Sequence, residues 1–231
     1  MCQGIVKRYN NAEEPPPVLI YVDRDCCSTS GVPSALRWFQ PWECFVRLDI
    51  WHFMRRFNPG LNTEHHPLYP IWCSRLSSCI FQWDSTDLNR LKYAKSQELR
   101  TSLGYVASDK EVLASLKTAE MVRHCKRTTR GAEVTWCLIQ QMLDAMWDLV
   151  DSMGTPLVNN STMSHVWKTQ HKHLSCIQDA QGIALYTKVG KLQKGGELLD
   201  VYRCARGSKS LESFHRYQCQ FIPGKNKNRF L

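Results

Sequence analysis

The sequence lacks any apolar run long enough to cross a membrane. The longest uninterrupted apolar stretch is Val18 to Val22, whereas a membrane-spanning helix needs about 20 apolar residues. The first residues, Met1 to Gly4, also lack the positive start and the apolar block of a secretory signal. Internal repeats are absent as well. We therefore expect neither a membrane protein nor a secreted one.

The composition is that of a globular protein. Apolar residues make up 43% and charged residues 22% of the 231 residues, so the chain can bury a core in one large or two small domains. Eleven cysteines are present, an odd number with no secretory signal before it. This pattern favours reduced, mostly buried thiols in an intracellular protein over a disulfide framework.

Positive charge is concentrated in the last third of the sequence. The net charge is +9, and residues 161–231 alone carry 12 basic and 4 acidic side chains. An excess of this kind predicts one basic face or tail directed at a polyanion such as nucleic acid. A solvated basic tail without a partner is the alternative.

The first third of the sequence predicts alternating strands and helices. Residues 1–17 are polar, end in three prolines and are expected to form a linker. Val18 to Val22 is predicted as a buried strand, and 44–48 as a second strand, with a short helix between them and another helix over 50–57. Such a βαβα unit, over residues 18–60, favours parallel strands.

The remaining sequence changes pattern twice. Residues 61–160 are predicted to be largely helical, residues 161–222 to form a hairpin and a closing helix, and residues 223–231 to be a basic tail. The fold class expected is α/β (α+β): a partial mixed sheet interrupted by a helical insertion.

Carboxylates follow both predicted strands. Asp23 and Asp25 follow the first strand, Asp49 follows the second, and Glu212 lies in the predicted closing helix. Paired carboxylates can hold two divalent ions for phosphoryl transfer, and Mg²⁺ prefers oxygen ligands. Acids at strand ends also serve as ordinary helix caps, and spacing alone does not decide between the two roles.

Three segments resemble motifs of a known transposase family. The segment Val22 to Asp25 reads VDRD, and Leu48 to His52 reads LDIWH. Together they resemble Thr-Asp-Gly-Asp followed by Leu-Cys-x-Trp-His, the pattern of Mutator-like DDE transposases. Arg206 to His215 reads RGSKSLESFH and resembles the same family's Gly-Thr-x-x-x-Glu-Ser-Phe segment around its third acid.

The resemblance implies a fold and a set of site residues. It implies an RNase H-like core with a helical insertion, in which Asp23 matches the second catalytic acid and Glu212 the third. These two would bind Mg²⁺ or Mn²⁺, with Asp25 and Asp49 as alternates. The histidines at 52 and 215 are expected to be structural, because Asp49 stands where the family has a cysteine partner for His52.

The family's first catalytic acid has no counterpart in this sequence. It belongs to an earlier strand, and nothing before Val18 resembles one. We therefore interpret the chain as the C-terminal part of a transposase core, fragmentary or domesticated, with an incomplete two-metal site.

Histidines and cysteines suggest zinc without matching a known spacing. His165, His171, His173 and Cys176 lie close in sequence, with Cys204 and His215 further on, but no standard zinc finger has this pattern. Adjacent cysteines such as Cys26 and Cys27 are not expected to point at one metal. We therefore expect surface histidines and buried thiols rather than a zinc site.

A basic and aromatic segment is the predicted DNA-binding surface, because Arg and Lys neutralise phosphates and aromatic rings stack on unpaired bases. The predicted contacts are Arg203, Arg206, Lys209, Arg216, Lys225 and Lys227.

Three functions remain open from the sequence. The favoured one is a transposase-derived, nuclear nucleic-acid-binding protein that is not catalytic alone. The second is an active Mg²⁺-dependent DDE transposase or nuclease. The third is a non-enzymatic helical protein-interaction module. The sequence leaves the oligomeric state open.

Overall fold

The structure, a computed structural model, describes residues 2–28 and 31–207. This part of the chain contains both helices and strands. The helices are α1 (Cys2–Asn11), α2 (Ile50–Arg55), α3 (Tyr69–Ile80), α4 (Ser85–Leu103), α5 (Asp109–Ser115), α6 (Thr118–His124), α7 (Ala132–Met146) and α8 (Asn160–Gln170). The strands are β1 (Leu19–Val22), β2 (Phe45–Leu48), β3 (Phe81–Trp83), β4 (Arg127–Thr129), β5 (Tyr186–Lys194) and β6 (Glu197–Cys204).

Short 3₁₀ helices span Ser34–Trp38, Asn58–Gly60 and His171–His173. The prediction of a fold that combines helices and strands is confirmed. Across the described ranges, no helix is both long enough and apolar enough to cross a membrane.

The two predicted strands after the proline-rich stretch form and pair in parallel. Leu19 of β1 lies opposite Phe45 of β2, and Val22 opposite Leu48. The ladder continues on both sides, because Phe45 N–H donates to the Val18 carbonyl and Asp49 N–H to the Val22 carbonyl, each at 2.9 Å. Both strands therefore end at the same edge of the pair.

The expected single mixed sheet is corrected by the structure. The described strands form three separate two-stranded sheets: β1 with β2, β3 with β4, and β5 with β6. The free edge of β2 is covered by a chain segment that is not a strand, since Leu48 N–H donates to the Cys176 carbonyl at 2.9 Å. The Arg47 Nε–H also donates to the Gln178 carbonyl at 2.7 Å. The hairpin therefore has no room to add to β2.

Apolar side chains of the helical part form the main core, and Leu48 and Val22 of the strand pair pack into it. Burying one such side chain contributes about 1.5–3 kcal/mol. The strand pair is therefore held against the helices by the same core. The largest fully buried side chains of this main core include Phe53, Phe57, Trp72, Leu76, Ile139, Leu143 and Met163.

Capping residues set where the helices begin and end. Ser108 and Glu111 form the capping box that the sequence predicts at the start of α5. Helix α4 begins at Ser85, because the Asp84 side chain caps it by accepting from Asp87 N–H at 2.9 Å. It ends at Gly104, whose φ of +77° is the left-handed conformation common after helices.

The predicted N-terminal linker is partly a helix. Helix α1 occupies Cys2–Asn11 and buries Val6. Tyr9, one helical turn after Val6, packs edge-on against Trp42 with ring centroids 5.0 Å apart. The two side chains share one helix face, a pattern that the polar composition of residues 1–17 hides.

The hairpin β5–β6 packs on α4 and α6 through a second small core formed by Leu91, Ala94, Cys125 and Leu199. Its turn is Gly195-Gly196, with φ of +53° and +81°. The turn approaches α4 so closely that a Cβ at Gly195 would lie 2.0 Å from the Ala94 carbonyl oxygen, whereas one at Gly196 would meet nothing.

Ion pairs add to the contact between hairpin and helices. The Lys194 Nζ lies 2.5 Å from Glu120 Oε1 and 3.2 Å from Glu98 Oε1, and Lys95 lies 3.1 Å from Glu120. Burial opposes ionisation of Glu120, but its hydrogen bonds from Lys194, the Lys117 backbone and Lys95 lower the pKa of its carboxyl to about 2.

We expect Gly195→Ala to destabilise the protein more than Gly196→Ala. Both substitutions place a Cβ at positive φ, which costs about 1–2 kcal/mol. Only the first also overlaps a helix carbonyl, a clash that adds about 1–3 kcal/mol. Urea unfolding of the two variants measures the difference. Equal decreases in unfolding free energy would contradict the close contact with α4.

We expect Glu120→Gln to lower the unfolding free energy at pH 7 by about 1–3 kcal/mol. A carboxyl whose pKa is lowered by folding stabilises the protein above its unfolded pKa of 4.5 and loses that contribution as the pH falls toward about 2. The difference between wild type and variant should therefore shrink over that pH range. A difference that stays constant from pH 7 to pH 2 would contradict the ionic role of Glu120.

Candidate functional site

Two acids and one histidine meet where β1 and β2 end. The Nδ1 atom of His52 lies 3.1 Å from Asp23 Oδ1 and 3.2 Å from Asp49 Oδ1. The two carboxylate oxygens are therefore separated by no more than the sum of these distances. We call Asp23, Asp49 and His52 the carboxylate edge.

Local structure explains the position of each side chain. Asp49 is the N-cap of α2, and its Oδ1 accepts from the His52 backbone N–H at 3.1 Å. The first turn of α2 therefore places the His52 ring over Asp49, and the parallel pairing of the strands brings Asp23 to the same ring. One imidazole atom, Nδ1, thus contacts a carboxylate oxygen of each acid.

The two acids differ in exposure. The Asp49 side chain is 3% exposed, whereas the Asp23 side chain is 65% exposed. Asp49 also contacts the end of the described chain, because a Cβ at Gly207 would lie 2.7 Å from Asp49 Oδ2. Gly207 has a φ of +78°, so this turn is suited to glycine in both conformation and space.

The carboxylate edge offers only part of a binding site for Mg²⁺ or Mn²⁺. Asp23 offers exposed carboxylate oxygens, which Mg²⁺ and Mn²⁺ prefer. Asp49 already serves as a helix cap, with its Oδ1 also at the imidazole. Mg²⁺ usually keeps several waters and binds proteins through one or two carboxylates, and within residues 2–28 and 31–207 Asp23 would contribute one of these at the edge.

The structure describes some of the other predicted site residues and not others. Asp25 is exposed, has a φ of +61°, and its carbonyl accepts from Ala35 N–H at 3.0 Å, so its backbone shapes the loop after β1. Arg203 is exposed near the end of β6. Glu212, His215, Lys209, Arg216, Lys225 and Lys227 lie outside the described residues.

Arg206 has a structural contact in place of the predicted contact with DNA. Its Nε and Nη2 atoms donate to both oxygens of Asp179, at 2.9 and 2.8 Å, and its side chain is 7% exposed. Burial opposes the charge, but the Asp179 carboxylate outweighs it and raises the pKa of Arg206 above its usual value. A guanidinium held in this bidentate pair is not free for a phosphate.

Three thiols and an imidazole form a second cluster next to the carboxylate edge. The sulfurs of Cys26 and Cys27 each lie 3.5 Å from His173 Nδ1 and 4.0 Å from each other. With Cys176 Sγ included, all four atoms lie within 4.8 Å of one another. We call these four residues the thiol cluster. Contrary to the expectation for adjacent cysteines, the sulfurs of Cys26 and Cys27 therefore approach the same atom, His173 Nδ1.

Two turns bring the cluster together. Cys26 and Cys27 lie in the loop after β1, which the Ala35 N–H closes by donating to the Asp25 carbonyl. His173 ends a 3₁₀ helix, and the N–H of Cys176 donates to the His173 carbonyl at 2.9 Å, which places both side chains on one side of the turn. The sequence contained each half as a separate feature, but no spacing rule links residues about 150 positions apart.

The thiols of the cluster share their protons unequally. A hydrogen bond from Cys26 lowers the pKa of Cys176 despite burial, and the same contact raises the pKa of Cys26. Burial also raises the pKa of Cys27.

Comparisons with known proteins identify no relative. No protein family matches the chain, and neither the curated proteins nor the solved structures include a significant match.

We expect Asp49→Ala to lower the unfolding free energy by about 1–2 kcal/mol, because α2 loses its cap. Asp49→Asn should have a smaller effect, since an amide oxygen also caps a helix well. Asp23→Ala, at an exposed position, should stay within about 0.5 kcal/mol of wild type. Chemical denaturation measures all three. A decrease for Asp23→Ala equal to that for Asp49→Ala would contradict the difference in their roles.

Proposed function

We propose that this protein is a transposase-derived nucleic-acid-binding protein with an incomplete two-metal carboxylate site, and that it does not cleave DNA alone. One observation carries the proposal: the acids of the two transposase-like motifs, Asp23 and Asp49, meet at His52 at the end of a parallel strand pair. The ends of parallel strands are where α/β folds usually build their sites.

A second contact supports the inclusion of the third motif. Gly207 belongs to the RGSKSLESFH segment and lies against Asp49. The segment that carries Glu212 thus starts at the carboxylate edge. Asp23 and Glu212 would hold Mg²⁺ or Mn²⁺ there, and the positive charge of the ion would offset the negative charge of a phosphate.

The lack of catalysis follows from the number of acids. Two-metal phosphoryl transfer needs ions that clamp both the attacking and the leaving oxygen. The first acid of the family has no counterpart in the sequence, and Asp49 is occupied as a buried helix cap. A second ion would therefore lack ligands.

DNA binding is expected from charge. Residues 161–231 hold 12 basic and 4 acidic side chains, and Arg203 is exposed. Arg206 no longer belongs to the proposed contact set, since Asp179 holds it. The proposed contacts are Arg203, Lys209, Arg216, Lys225 and Lys227. A nuclear location would accompany this function.

We expect Arg203→Ala combined with Arg216→Ala to weaken binding to random-sequence DNA. For each arginine that no longer neutralises a phosphate, the slope of log affinity against log salt should become shallower by about 1. Lys110→Ala, which removes a positive charge from the exposed surface of α5, is the matched control and should change neither quantity. Fluorescence anisotropy across a salt series measures both.

The other two functions are outcomes of the same experiment when a plasmid-nicking assay is added. Without cleavage in Mg²⁺ or Mn²⁺, and with salt-dependent binding, the proposal stands. Cleavage that Asp23→Ala abolishes would make the protein an active DDE-type nuclease. Absent or salt-insensitive DNA binding would favour the helical protein-interaction module.

A further inference from the structure

We propose that Cys26, Cys27, His173 and Cys176 bind one Zn²⁺ ion as a tetrahedral structural site. The proposal does not depend on DNA binding, because it concerns the thiol cluster and not the carboxylate edge. Three sulfurs and one nitrogen are a ligand set typical of structural zinc.

The distances within the cluster match those that zinc would impose. Zn–S bonds of about 2.3 Å and Zn–N bonds of about 2.0–2.1 Å, arranged tetrahedrally, separate two sulfurs by about 3.8 Å and a sulfur from a nitrogen by about 3.5 Å. Both cysteine sulfurs of the adjacent pair lie 3.5 Å from His173 Nδ1, and they lie 4.0 Å from each other. Three of the four ligand atoms therefore have the spacing of a zinc tetrahedron, and the fourth, Cys176 Sγ, lies within 4.8 Å of each of them.

Ordinary buried thiols do not account for this arrangement. A core cysteine packs among apolar side chains as a small hydrophobic residue. Here the sulfurs of two adjacent cysteines both turn toward one imidazole nitrogen, although Cys26 is buried and Cys27 is exposed. The exposed side at Cys27 also gives a metal ion a path into the cluster.

The backbone holds the ligands in place before any ion binds. The Cys176 carbonyl accepts from Leu48 N–H, and the Cys176 N–H donates to the His173 carbonyl, each at 2.9 Å. The other pair of ligands lies within the loop that the Ala35 N–H closes by donating to the Asp25 carbonyl. A preformed site of this kind gives up little conformational freedom on binding.

Charge balance is also favourable. Binding of Zn²⁺ releases the protons of the three thiols, so three thiolates and one ion carry a net charge of −1. The guanidinium of Arg56 donates to the Asp23 carbonyl, three residues before Cys26. A positive group therefore stands beside the negative site.

The zinc ion would have a structural role and not a catalytic one. Four protein ligands fill the tetrahedron and leave no position for water or substrate, which distinguishes structural from catalytic zinc. The ion would connect the loop after β1 to the segment that covers the free edge of β2. It would thus clamp both strands of the pair at the edge that carries Asp23 and Asp49.

The test uses the full chain, purified under reducing conditions. We expect one equivalent of zinc by elemental analysis. After removal of zinc, titration with Co²⁺ alone should produce the visible bands of tetrahedral cobalt and near-ultraviolet thiolate charge-transfer absorption. Cys176→Ser and His173→Gln should each weaken Co²⁺ binding by more than about tenfold. The matched controls Cys137→Ser and His171→Gln, which change residues outside the cluster, should bind as wild type does.

Several results would overturn the proposal. These are a protein without zinc that gives no thiolate absorption with Co²⁺, a metal content unchanged in Cys176→Ser and His173→Gln, or an equally large decrease in the two controls. Cys27→Ser, at the exposed position, provides a variant that tests the site even where the buried substitutions prevent folding. It should keep the fold by circular dichroism and still lack thiolate absorption, and an unchanged cobalt spectrum would contradict the site.

A chemical readout separates this proposal from the proposed function. Zinc should protect Cys26, Cys27 and Cys176 from alkylation, and a chelator should expose them, as mass spectrometry of the labelled peptides would show. Equal labelling with and without chelator would contradict zinc binding. DNA affinity measured on the same samples is a separate result, so failure of one proposal leaves the other to its own test.

Discussion

Hydrogen bonding of β2 along both of its edges is the constraint on which the rest of the arrangement depends. On one side β2 pairs with β1, and on the other Leu48 N–H binds the Cys176 carbonyl while Arg47 binds the Gln178 carbonyl. Because backbone groups buried in a core need partners, this double pairing allows Leu48 to be fully buried. It also brings the carboxylate edge and the thiol cluster side by side. Asp23, Cys26 and Cys27 all follow β1, and Asp49 and Cys176 both lie at the end of β2.

Local signals were enough to predict much of the fold. The strand at Val18 to Val22, the strand at 44–48 and the helix over 50–57 each depend on residues close in sequence, and each forms near its predicted position. Features that depend on distant partners were missed. The small sheet β3–β4 and the separation of β5–β6 from β2 follow from tertiary packing, which propensity does not record. Helix α1 was missed because its buried face is only a few residues wide.

The candidate site divides in the same way. Asp23 and Asp49 were identified from sequence because each follows a predicted strand, and His52 was identified through the resemblance to the transposase motif. Arg206 was assigned to DNA because its charge is visible in the sequence, whereas its pairing with Asp179 is formed only in the fold. The thiol cluster was the hardest to find: its two halves are far apart, and only folding brings them together.

The contact between Leu48 and Cys176 has a consequence for the order of folding. The chain between these two residues contains α2 to α8, and an unstructured loop of that length carries a large entropic cost of closure. Helices form from local contacts, so their folding shortens the path between the loop ends before the ends meet. We therefore expect the helical part to assemble early and the strand pair, with everything attached to its edge, to be completed last.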